Sequence, residues 1–286
     1  MKKLMLILFI ALGGAAFAQT AEVKTSIDWT IMELAVQTSL DVSAMNIRLP
    51  AGKVIVEGML ESQYADMARS AILGIQADSS HTLGGLLSAG EISLHEADAF
   101  STPIRRVPAV LSSDLTRLVA SYTISLRNIG AGLLKHSRPA SIRPPLAAPQ
   151  APTYTGIVIL AEGELPVHGR NTSTLVQPCL FPRIWDSDMN LLYDKTMTAP
   201  QSVMSVRYAP STAVFQDTPS GMDEGLDRFV GERPLRIMAV GAFGVSPTDV
   251  IISRDDALLI LSSPENRQLL QEARIVFALS DEVLKK

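Results

Sequence analysis

Several short stretches of this 286-residue chain carry residue types that could do chemistry. In Asp186-Ser187-Asp188-Met189-Asn190, oxygen-bearing side chains alternate as they do at the start of a calcium-binding loop. A complete loop needs Gly at its sixth position and a bidentate Glu at its twelfth. Here those positions hold Leu191 and Met197. The stretch is therefore read as a hairpin turn, in which Asp and Asn accept hydrogen bonds from their own backbone. His95-Glu96-Ala97-Asp98 is the densest group of possible ligands. A metal site needs three or four convergent groups. One His beside two carboxylates, without a second His at helical spacing, predicts a solvated helix face. Neither stretch predicts a metal, and no cofactor is expected.

His168 and Arg170 stand in Leu165-Pro166-Val167-His168-Gly169-Arg170. An imidazole beside Gly and Arg in a loop could bind an anion or serve as a base; more often such a His is an exposed turn residue. Together with Trp185 they are the candidate interaction residues of the chain. Cys179, the single cysteine, lies in an apolar run and reads as a small buried hydrophobe. A reactive thiol would need a neighbouring base. Pro219-Ser220-Gly221 lacks the G-x-S-x-G frame of a nucleophile elbow. The glycines of Gly241-Ala242-Phe243-Gly244 are followed by Pro247, not by a third glycine opening a helix. No catalytic residue is assigned, and the expectation is a protein that is not an enzyme.

The elements that would position these residues follow an export leader. Lys2 and Lys3 precede the apolar run Leu4–Leu12, and Ala16-Phe17-Ala18 fits a cleavage site. The run is shorter than the roughly 20 residues that span a bilayer. Residues 1–18 are read as a signal peptide cut between Ala18 and Gln19, which directs the chain to the periplasm or cell envelope. No Cys stands at the cut, so a lipid-modified terminus is not expected, nor is a transmembrane span in the mature chain. The formal charge of −4 becomes more negative by two once Lys2 and Lys3 leave. An acidic exported chain is a poor partner for nucleic acid. With one cysteine it has no internal disulfide, so a packed core must hold it together.

Two blocks flank a proline-rich segment, 137–153, which holds Pro139, Pro144, Pro145, Pro149 and Pro152. Such a segment forms neither helix nor central strand and is read as a linker between domains 19–136 and 154–286. In the first domain, Ser26 to Ile31 alternates as a strand, Val36 to Ala44 is ambiguous and could be helical, and Leu49 to Gly52 has turn chemistry. The apolar spacing of Tyr64, Met67, Ala68, Ala71, Ile72 and Ile75 predicts a helix over 62–76. Leu118 to Leu126 is rich in β-formers. In the second domain, Gly156 to Ala161 is an apolar run suited to a central strand. Cys179 to Trp185 and Leu191 to Tyr193 form a hairpin. Strands are also expected over 203–208, 235–242, 250–252 and 275–279. Ser253 caps a helix whose first turn holds Asp255 and Asp256. The fold class is α+β, two domains, each a mostly antiparallel sheet with helices packed on one face.

Tyr154-Thr155-Gly156-Ile157-Val158-Ile159 and Pro182-Arg183-Ile184-Trp185-Asp186 with Tyr193, then 234–237, 247–257 and 274–277, resemble a family of poorly characterised exported bacterial proteins, spirochaetal members above all. Residues 71–86 and the strand at 120–126 are similar to the helix-then-strand module of small outer-membrane lipoproteins, including the flagellar basal-disk lipoprotein. The resemblance implies an envelope protein without enzymatic activity, tied to a motility or surface assembly, whose partners are envelope proteins or further copies of itself. It supplies no site residues. The alternative is a periplasmic small-molecule or glycan-binding protein, or a hydrolase, with its site near the 162–178 loop. That alternative requires the loop to border a concave pocket.

Overall fold

The structure, a computed structural model, describes residues 21–43, 51–147, 149–216 and 221–286. The expected signal peptide, with Ala18 and Gln19, lies outside the described residues, as do Leu49 and Pro50. The first domain contains strands β1 (Glu22–Asp28) and β2 (Glu33–Asp41), helices α1 (Ala51–Leu73), α2 (Leu83–Ser88) and α3 (Leu94–Ala99), strands β3 (Arg105–Leu111) and β4 (Arg117–Ser125), and helix α4 (Leu126–Gly132). The second begins with β5 (Ile157–Ala161), β6 (Glu164–Pro166), β7 (Ser173–Leu175), β8 (Ile184–Asp186), β9 (Leu191–Tyr193) and β10 (Arg207–Pro210). It continues with α5 (Glu224–Val230), β11 (Leu235–Phe243), β12 (Asp249–Ile252), α6 (Arg254–Leu261), α7 (Pro264–Gln271), β13 (Ile275–Leu279) and α8 (Asp281–Leu284).

The first sheet runs β1-β2-β4-β3 and is antiparallel throughout. Val36 to Ala44, open to a helical reading in sequence, is a strand over Glu33–Asp41. Its buried residues Leu34, Val36, Thr38 and Leu40 alternate along one face. Helix α1 packs there, with Tyr64 stacked on Tyr122 at 4.0 Å between ring centres. It begins at Ala51, well before the expected start at 62. Lys53 to Ser62 includes the good helix formers Lys53, Glu57, Met59, Leu60 and Glu61, and Val56 and Leu60 are buried against the sheet. Strand β3 was not anticipated. It is an edge strand with exposed Val107 and Val110 and a proline at 108, so it shows no alternation.

The second sheet has the order β10-β13-β5-β11-β12-β8-β9. The α+β class and the two domains stand, but the expected mostly antiparallel second sheet does not. Strand β13 lies parallel to both β10 and β5, β5 is parallel to β11, and β12 is parallel to β8. The antiparallel pairs are β11 with β12 and β8 with β9. The reason is visible in the strands: β5 and β13 are buried at every position, as strands of parallel sheets covered on both faces are. Helices consequently lie on both faces, not one. Ile157, Ile159, Ile275 and Phe277 join Ile260 and Leu270 of α6 and α7, whereas Val158, Leu160, Val276 and Ala278 meet Leu226 and Val230 of α5. Helix α6 starts where expected: the Ser253 hydroxyl accepts from Asp256 N, with Asp255 and Asp256 in the first turn.

The two domains share one core. A continuous apolar cluster runs from Leu34 and Ile124 to Ile237 and Phe277. The chain end adds to the first sheet, because Lys286 exchanges backbone hydrogen bonds with Ile27 at 2.6 and 3.0 Å. The described residues of the proline-rich segment form no regular secondary structure. It follows the surface, tied down by the bond from Ala140 N to Thr196 O at 2.7 Å and by Ile142 against the core.

Candidate functional site

The densest polar constellation lies in the seam between the domains. The first domain contributes the turn after α1, Asp78-Ser79-Ser80-His81. Asp78 organises that turn itself: its Oδ1 accepts from Ser80 N at 2.8 Å and His81 N at 3.0 Å. The second domain contributes Arg183, one residue before β8, together with Asp194 after β9 and Asp249 at the start of β12. The chain paths meet as a short backbone ladder, with Leu180 N donating to Gln76 O at 3.0 Å and Phe181 N to Ala77 O at 2.9 Å. Gly244 makes the approach possible. Its φ is +113°, and a Cβ there would sit 2.3 Å from the Cβ of Ser79.

Arg183 is the hub. Its Nε donates to Asp194 Oδ2 at 3.2 Å, and its terminal nitrogens reach Asp78 at 3.7 Å and Asp249 at 4.0 Å. Asp249 is completely buried. Its Oδ2 accepts from Ser79 Oγ at 2.8 Å and Trp185 Nε1 at 3.2 Å, and its Oδ1 accepts from Arg183 N at 3.3 Å. Burial pushes the Asp249 carboxyl above the usual carboxylate range, against the opposing pull of Ser79, Trp185 and Arg183. Burial acts on Asp194 in the same direction. There, hydrogen bonds from the Thr196 backbone and side chain and the Arg183 guanidinium outweigh it and hold the carboxyl below its usual value. Burial would lower Arg183, but its three carboxylates raise it. A buried charge survives only when paired and hydrogen-bonded; each carboxylate here is paired with Arg183, and Asp78 and Asp194 take further hydrogen bonds from their own turns. The arrangement ties the two domains together through Arg183 and its three carboxylates, with the Ser79 hydroxyl held by Asp249.

The residues picked out in sequence fall beside this junction. Asp186 Oδ1 accepts from Asp188 N at 3.0 Å and Asn190 N at 2.7 Å, and Oδ2 from Asn190 Nδ2 at 2.8 Å. Its oxygens are spent on the hairpin turn, and among the described residues no group of His, Cys, Asp and Glu could hold a metal ion. His95 lies exposed on α3, where Glu96 completes a capping box with Ser93 and Asp98 pairs with Arg69 at 2.8 Å. Cys179 is buried, and burial pushes its thiol up to about 12.

His168 and Trp185, apart in sequence, both pack edge-on against Phe243, with ring centres at 6.0 and 5.4 Å from it. His168 N donates to Ala242 O at 2.9 Å, which docks the β6–β7 hairpin along β11. The Arg170 guanidinium turns back onto Val245 O at 3.3 and 3.4 Å. The 162–178 loop lies along the sheet. Five cavities open beside β10, beside the Asp186 turn, beneath Lys135 and Lys195, beside Met238 and beside Leu115; residues 162–178 line none of these five.

Sequence reasoning missed Asp249, Ser79 and Phe243. One signal was there to use: Asp249 heads the otherwise apolar Val250-Ile251-Ile252, and a carboxylate fused to a central strand demands a partner.

Residues 20–132 match the family model described as the N-terminal domain of Treponema pallidum Tp0624, and residues 156–281 match the one described as its second domain. The chain belongs to this spirochaete-type two-domain family. The matches leave 133–155, around the proline-rich segment, between them. Each contributes to the junction: Asp78 and Ser79 fall in the first match, Arg183, Asp194 and Asp249 in the second. No curated protein matches the chain. Among the described residues no helix is long and apolar enough to cross a membrane.

Proposed function

We propose that this chain is a non-enzymatic, exported protein of the periplasm or cell envelope that works as a structural or interaction unit. The observation that carries this reading is the use made of its ionisable groups. Arg183, Asp78, Asp194 and Asp249 spend their charges joining two domains into one body, and the sole thiol is buried and protonated. A body built this way offers surfaces, not a reaction centre. The likeness of residues 71–86 and 120–126 to the module of small outer-membrane lipoproteins, and the leader at 1–18, support a place in the envelope and an association with a motility or surface assembly. Partners are envelope proteins or further copies of the chain.

Crosslinking in the native envelope, followed by identification of the crosslinked species, tests the proposal, with size-exclusion of the mature chain as its companion. Defined heteromeric or homomeric adducts are expected. A chain that stays monomeric and yields no adduct would remove the proposal.

A further inference from the structure

The second sheet ends in an open edge. Strand β10 has a single neighbour, β13, with Arg207 opposite Val276 and Pro210 opposite Leu279. Beside it lies a cavity of about 510 Å³ lined by all four β10 residues. One wall comes from the start of α5, at Asp223, Gly225 and Leu226, and the other from α8 and the β1–β2 turn, at Asp281, Leu284 and Thr30. The walls therefore stand on the two faces of the sheet, with the strand edge between them. A four-residue strand, at about 3.3 Å rise, 4.8 Å spacing and 10 Å thickness, fills roughly 600 Å³. The cavity has the size and position of one missing strand.

The other outer strands are blunted in part. Strand β3 is bulged and carries Pro108, β1 is joined by Lys286 at Ile27, and β9 is three residues long. Bulges, prolines and short strands are how proteins blunt an edge; β10 is itself four residues long and ends in Pro210, and what sets it apart is a cavity lined along its whole length. The cations of the slot are already engaged: Arg207 lies 4.2 Å from the Phe229 ring centre and donates to Gly225 O at 3.2 Å, and Lys285 pairs with Asp28 at 3.4 Å. Asp281 and Asp223 are exposed, and among the described residues neither has a cationic partner.

We propose that this slot receives an extended segment of a partner protein, added beside β10 as an eighth strand, in which pairs of apolar residues alternate with pairs of basic ones, so that each face of the strand presents both. The backbone edge of β10 supplies affinity, the apolar walls take the apolar side chains, and the rim carboxylates select the basic ones. The inference rests on the interaction reading above and names the surface that would carry it.

The test uses the full-length mature chain and a fluorescein-labelled, end-blocked octapeptide in which Lys-Lys and Val-Val pairs alternate, with alternating Glu-Glu and Val-Val pairs as control. Fluorescence anisotropy should show saturable binding of the basic peptide alone, and hydrogen exchange should show slowing of the outward-facing amides within Arg207–Ala209. Asp281→Lys combined with Asp223→Asn keeps the α5 cap and reverses the rim; it should weaken binding at least about tenfold. Ala213→Trp, which puts bulk into the slot, should abolish binding, and an unchanged circular dichroism melt shows that the variant is folded. Equal binding of both peptides, protection away from β10, or full affinity in the rim variant would overturn the inference. Native-envelope crosslinking separates it from the broader reading. If wild type and rim variant capture the same partners equally, the slot is wrong and the interaction role stands; if wild type captures none, both fall.

Discussion

Replacing Arg183 with Met tests whether the seam is held by charge. Methionine keeps much of the length and apolar stem of arginine and removes the guanidinium. Three carboxylates then lose their cation: Asp249, fully buried, and Asp78 and Asp194, whose side chains are 9% and 13% exposed. At an effective dielectric of about 20, a pair at 3–4 Å is worth roughly 4–5 kcal/mol before desolvation is counted. Most of that is offset by desolvation, and breaking such a pair costs about 3–5 kcal/mol net because the partner stays buried and uncompensated. The Arg183 side chain keeps 26% of its surface in water, so the lower end, about 3 kcal/mol, is expected. At roughly 2–4 °C per kcal/mol for a chain near this size, the melting midpoint should fall by about 6–12 °C at pH 7. The pH dependence has a definite sign. The lowered carboxyl of Asp194 contributes stability that is present above its ordinary value of 3.8 and lost as pH falls through its folded value. The raised carboxyl of Asp249 works oppositely: its cost appears as pH rises from 3.8 through its folded value. Without Arg183 the first contribution shrinks and the second cost grows, so the penalty should be full at neutral pH and smaller below 3.8. The assay is urea denaturation and thermal melting of wild type and variant at pH 7 and pH 3. A midpoint shift under about 2 °C at pH 7, or the same shift at both pH values, would refute the ionic account of the seam.

Gly244→Ala should destabilise by about 1–3 kcal/mol from backbone strain alone, and by more through the Ser79 contact, read as a lower urea midpoint at an unchanged slope. Cys179 should resist Ellman's reagent at pH 8 in the folded chain and react fully in guanidinium, because a thiol pushed up to about 12 leaves on the order of one in ten thousand as thiolate at that pH. Removing Leu284 to Lys286 deletes the bonds to Ile27 and Trp29 and the buried Leu284 side chain. At about 0.5–1.5 kcal/mol for each of the three bonds and about 1.5–3 for a buried leucine, the loss should be about 3–7.5 kcal/mol by chemical denaturation.

Local patterning was enough for much of the scaffold. The apolar run of β5, the Ser253 cap before α6, the Asp186 turn between β8 and β9 and the strand β4 depend on neighbours within a few residues, where spacing and capping chemistry act directly. The boundary of α1 was misplaced because Leu49-Pro50 signals a turn while the helix formers after it respond to burial against β2. The direction of the strands in the second sheet could not be read, since an apolar run looks the same whether its neighbour runs parallel or antiparallel. His168 and Trp185 were visible as single residues; that both meet Phe243 depends on β6 docking along β11. The junction was out of reach for the same reason. Asp78 and Ser79 read as the end of a helix, Arg183 as part of a hairpin and Asp249 as the edge of a strand. Their partners lie up to 170 residues apart, and only the packing of the two domains brings the charges close enough to justify burying them. The sequence alone determined the elements whose patterning and caps are local, such as β4, β5 and the start of α6, because neighbours within a few residues decide them. The tertiary structure decided what the ionisable residues are for, because a charge takes its role from the groups around it in space.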